Sequence, residues 1–102
     1  MARINTARVG IFLQTVMTIL KSNPNGLAGR EVLDEMERQI VLSDEERGYY
    51  RTNPRENRAR VCTRWWTVNL VKAGWIDKSK TAWNITELGS RQLEAFPDPE
   101  AF

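Results

Sequence analysis

Val9, Phe12, Leu13, Val16, Met17 and Leu20 recur at helical spacing and make one apolar stripe. Asn5 or Thr6 caps the helix they predict, and the turn-forming run Ser22-Asn23-Pro24-Asn25-Gly26 ends it. In so short a chain the stripe is needed as core. Gly26-Leu27-Ala28 then has the length of a minimal strand. A second helix is expected from Gly29 to Ile40, with Val32, Leu33, Met36 and Ile40 inward. Glu31, Asp34, Glu35 and Glu37 lie on its wet side, which argues against this helix resting on phosphate. Ser43-Asp44-Glu45-Glu46 has the form of a capping box and predicts a short helical turn ending near Gly48. Tyr49 to Asn57 reads as an exposed loop, either functional or a plain connector.

A third helix is expected from about Arg55 to Ala73, closed by Gly74. At about 100° per residue, Val61, Cys62, Trp65, Trp66 and Leu70 form a broad apolar arc, with Trp66 at its edge. Asn57, Arg60, Thr63, Arg64 and Thr67 fall opposite and are expected to face outward. Apolar and polar residues then alternate through Trp75-Ile76-Asp77-Lys78 and Ala82-Trp83-Asn84-Ile85, around the tip Ser79-Lys80-Thr81. That is a hairpin pattern, with Trp75 and Trp83 turned into the core. Thr86 caps a last helix from Glu87 to about Phe96, with Leu88, Leu93 and Phe96 inward and Pro97 as its stop.

Charge changes the picture. Between Arg47 and Lys80 stand nine basic residues and two acids, Glu56 and Asp77, so the segment carries +7 and the remainder −5 of a net +2. One face is thus suited to a polyanion. Composition then removes several chemistries. The 102 residues include no histidine and one cysteine, which excludes Cys/His zinc sites and Ser-His-Asp or Cys-His catalysis within the chain. The lone Cys62 forms no intrachain disulfide, and a cytoplasmic setting is expected. No run of apolar residues is long enough to span a membrane, and no signal peptide is read at the N-terminus. The expectation is one domain, residues 1–97, followed by a linker-like tail over 98–102, with no metal, no cofactor and no enzymatic role.

Helix, short strand, helix, basic helix, hairpin and helix is the order of a winged helix-turn-helix: mostly α with a small β-hairpin. Leu42-Ser43-Asp44-Glu45-Glu46-Arg47, Asn57-Arg58-Ala59-Arg60-Val61, Leu70-Val71-Lys72-Ala73-Gly74-Trp75-Ile76 and Trp83-Asn84-Ile85-Thr86-Glu87-Leu88-Gly89 together resemble the N-terminal winged-helix domain of Mrr-type restriction proteins. The resemblance covers about half the chain, from Leu42 to Phe96. It implies a duplex DNA-binding module, often fused to a nuclease or another effector. No Glu-x-Lys element stands anywhere in the chain, so the nuclease chemistry of such proteins is not expected here.

On this reading the third helix enters the major groove and the hairpin rests on the backbone. Arg58, Lys72, Lys78 and Lys80 are the expected phosphate contacts. Asn57, Arg60 and Arg64 suit base edges, and Thr63 and Thr67 suit phosphate or a thymine methyl. A protein-interaction or dimerisation winged helix, using Trp66 and Tyr49-Tyr50, is the alternative, as is a stand-alone transcriptional regulator. Oligomeric state is left open, with a monomer expected for the isolated unit.

Overall fold

The computed structural model describes residues 4–96. The expected Pro97 stop and the tail over 98–102 lie outside the described residues. Five helices and one hairpin follow in the expected order: α1 (Thr6–Lys21), α2 (Gly29–Gln39), α3 (Asp44–Arg47), α4 (Arg58–Lys72), β1 (Ile76–Lys78), β2 (Trp83–Ile85) and α5 (Glu87–Ala95). The chain is mostly helical with a small antiparallel hairpin, an arrangement compatible with a winged helix.

α1 is the centre of the core. Asn5 caps it by accepting from the Arg8 amide at 2.9 Å. Its stripe is buried as the spacing predicts, with Phe12, Val16, Met17 and Leu20 fully covered. α2, α4, α5 and β2 all pack on it, so one amphipathic helix organises the whole domain. α2 contributes Val32, Leu33 and Met36 to the same core.

Ser43 and Glu46 form a complete capping box at α3. Glu46 does more than cap. Its carboxylate is buried and accepts from Arg8 Nε and Nη2 at 2.8 and 2.7 Å, tying α3 to α1. The hydrogen bonds from Arg8 are the main reason its carboxyl is held below the usual range, against the opposing effect of burial.

The hairpin pairs Ile76 with Ile85 and Lys78 with Trp83. The minimal strand expected at residues 26–28 is reduced to one antiparallel bridge, Leu27 to Trp83, closed by hydrogen bonds of 3.1 and 2.7 Å. α4 ends in a Schellman motif: the amides of Gly74 and Trp75 donate to Val71 and Leu70 carbonyls at 3.0 and 2.9 Å, with Gly74 at φ +79°. Thr86 then caps α5 through Gly89 and also donates to the Gly74 and Trp75 carbonyls, holding α5 against the start of the hairpin.

Three expectations are corrected. α4 begins at Arg58, not Arg55, because Asn57 is its cap. Leu88 on α5 and Phe96 just after it are exposed, leaving Leu93 as the partly buried contact with the core. The third correction concerns which face of α4 is buried, and it reshapes the site.

Candidate nucleic-acid interface

α4 turns Ala59, Thr63, Thr67 and Leu70 inward. Thr63 is 1% exposed and Thr67 is 0% exposed, so their expected outward placement is overturned. Two features make this possible. Threonine and alanine are small enough for α4 to approach Met36 of α2 closely, and Thr63 Oγ1 lies 3.6 Å from the Met36 sulfur. Each hydroxyl is also satisfied by its own helix: Thr63 donates to Ala59 O and Thr67 to Arg64 O, both at 2.8 Å. A buried threonine hydroxyl with a partner carries little desolvation penalty.

The outer face therefore sits about a third of a turn from the expected one. Val61, Trp65, Val68 and Lys72 follow one another along it. Trp65 is 75% exposed, whereas its neighbour Trp66 packs partly against the core. The sequence places Trp66 at the edge of the apolar arc, yet Trp65 is the tryptophan that faces out. The doublet alone could not say which indole faces out.

The polar residues expected to read bases are largely engaged within the fold. Asn57 caps Arg60 N at 2.9 Å and donates from its amide to Glu37. Arg60 is clamped by α2, donating to Asp34 and, at 2.8 Å, to Glu37. Those hydrogen bonds lower both carboxyls and raise the guanidinium. The acidic side of α2 is thus partly spent as a brace for α4. Arg64 donates from Nε to both Glu56 oxygens at 2.8 and 3.0 Å, yet stays half-exposed.

Lys78 reaches back from β1. Its ammonium lies 4.2 Å from the centre of the Trp83 ring and donates to Thr67 Oγ1. Burial, with Arg64 nearby, lowers its pKa. Arg58 stacks over Tyr50 at 5.2 Å, and its Nε is buried without a hydrogen-bond partner.

Among the described residues, Arg30 at the start of α2 and Arg51, Arg55, Lys72 and Lys80 are exposed and hold no ion pair. Arg51 and Arg55 come from the loop before α4, Lys72 from its last turn and Lys80 from the hairpin tip. The two loop arginines belong to the basic segment of the sequence but to none of its helical faces. A loop lacks the periodicity that would have pointed them outward. No group of His, Cys, Asp and Glu among the described residues is arranged to hold a metal, and no described helix is long and apolar enough to cross a membrane.

A small, mostly helical domain whose basic α4 runs into a two-stranded hairpin, with exposed cations on both, is compatible with a winged helix. The model of one family, the Mrr N-terminal domain, matches residues 11–95, and the chain belongs to that family. It is thereby a restriction-system-related domain. No curated protein and no solved structure matches the chain.

Proposed function

We propose that this domain is a duplex DNA-binding module that anchors or targets a restriction effector. In this reading it is a winged helix with α4 in the major groove and the β1–β2 hairpin along the backbone. The observation that carries the proposal is the distribution of free charge. Among the described residues, four of the five exposed cations without an ion pair lie on the loop before α4, the end of α4 and the hairpin tip; the fifth, Arg30, stands in the first turn of α2, whose Asp34 and Glu37 are engaged with Arg60.

Arg51, Arg55, Lys72 and Lys80 are assigned to phosphates, with half-buried Arg64 and Lys78 completing a six-charge surface. Asn57 and Arg60 set the position of α4, and Thr63 and Thr67 let it pack. The domain itself is assigned no catalytic step and no cofactor. A fused or associated nuclease would supply cleavage, in the cytoplasm.

Fluorescence anisotropy of a labelled duplex at several salt concentrations tests this. Six phosphate contacts give a slope of log affinity against log salt of roughly −5. Lys72→Glu with Lys80→Glu is expected to weaken binding to all sequences and flatten that slope. Absence of binding to any duplex at low salt would overturn the DNA reading in favour of a protein-interaction module.

A further inference from the structure

Trp65 stands where a groove-reading helix would ordinarily carry a polar side chain. With Val61 it lines two hollows at once. The first, about 540 Å³, is bounded by Ile4, Thr6, Tyr50, Cys62, Trp66 and the shared pair. The second, about 260 Å³, adds Asn53, Glu56, Arg64 and Val68.

The first hollow is aromatic on several sides and contains no carboxylate. Arg58 stacked on Tyr50 holds one of those aromatics in place. The only acid in the second hollow, Glu56, is already matched by Arg64. The loop that carries Arg51 and Arg55 contributes Tyr50 to the first hollow and Asn53 and Glu56 to the second, and neither arginine has an ion pair.

Aromatic faces beside unpaired cations favour a ligand that is planar and apolar at one end and anionic at the other. A stacked duplex offers an apolar groove contact only at thymine methyls. A base out of the stack offers a whole π-face, with its phosphates in reach of the arginines. A second copy of this chain would bring its own Arg51 and Arg55 against these and gain nothing from the charge.

We propose that the hollow between Trp65, Trp66 and Tyr50 takes a single unpaired nucleobase, stacked on the Trp65 indole, with Arg51 and Arg55 on the flanking phosphates. The assignment rests on the DNA reading above and specifies what α4 grips: duplex interrupted by an unstacked base.

The test compares one duplex in two forms, perfectly paired and with a single unpaired thymine. The wild type is expected to bind the bulged form about tenfold more tightly, the size of one base–aromatic stack, with quenched tryptophan emission. Trp65→Ala should bring the bulged-to-perfect ratio toward one, and Trp65→Phe should retain most of it. Lys80→Glu should weaken both forms and leave the ratio intact. Circular dichroism and melting curves establish that each variant is folded.

Equal wild-type affinity for the two forms, or a ratio unchanged in Trp65→Ala, would overturn the base assignment while leaving duplex binding in place. Failure to bind the paired duplex, with the bulged form still bound, would instead sink the duplex reading alone. Sedimentation showing a dimer that Trp65→Ala dissolves would assign the hollow to a second copy and overturn the proposal.

Discussion

A Cβ placed on Gly89 would lie 2.0 Å from the carbonyl oxygen of Trp75, inside the contact limit of any side chain. That oxygen also accepts from Thr86 and is fixed by the turn, so it has little freedom to retreat. Gly89→Ala is therefore expected to cost about 2–3 kcal/mol, as overpacking does, measured by urea denaturation. Glu46 gives a second residue-level outcome. Its carboxyl sits below the ordinary range when folded and returns to it on unfolding. Its stabilisation is thus complete above the ordinary glutamate range and is lost as pH falls through the lowered folded value. Glu46→Gln should destabilise the domain by about 2 kcal/mol at pH 7, less than a wholly buried pair because Arg8 stays partly exposed. In urea titrations the gap to wild type should narrow steadily in acid.

For elements, the decisive event is the choice of face by α4. Its apolar residues are spread around much of the helix, so no narrow stripe dictates which side turns in. Close approach of α4 to Met36 favours small residues at the contact, and Ala59, Thr63 and Thr67 meet that need while Trp65 does not. Trp65→Gln is accordingly expected to change stability by about 1 kcal/mol or less, whereas Thr63→Arg should prevent folding, both read by thermal melts. The brace between α2 and α4 has a measurable consequence as well. Asp34→Asn with Glu37→Gln would free Arg60 and remove two negative charges near the loop. Duplex affinity should rise several-fold at low salt, and less as salt screens the change, while stability falls by about 1–2 kcal/mol because Arg60 is mostly buried.

Taken as a whole, the molecule separates its charge by use. Acids on α2 and α3 hold arginines in place, and among the described residues the exposed cations without an ion pair, Arg30 on α2 apart, gather on the α4 loop, the end of α4 and the hairpin tip. A net charge of +2 understates such a surface, because paired charges cancel locally and unpaired ones do not. The chain holds no histidine, and burial pushes the Cys62 thiol up, away from neutrality. DNA affinity should therefore be flat between about pH 6 and 8 in anisotropy titrations at constant ionic strength.

Element order, caps and the central stripe of α1 were legible in the sequence, because each rests on neighbours a few residues apart. Asn5, Ser43 and Thr86 cap helices through bonds to amides three residues on, whereas Asn57, which the sequence places within the third helix, is its cap. Gly74 closes α4 by its own backbone freedom. The concentration of positive charge before the hairpin was likewise plain. What the sequence could not determine was how α4 is rotated and which of its polar groups remain free. Those depend on partners far along the chain: Met36, Asp34 and Glu37 on α2, and Lys78 on the hairpin. A helical wheel ranks faces by apolar content, but packing also weighs size and hydrogen-bond satisfaction. Here those two terms put threonines inside and left a tryptophan out.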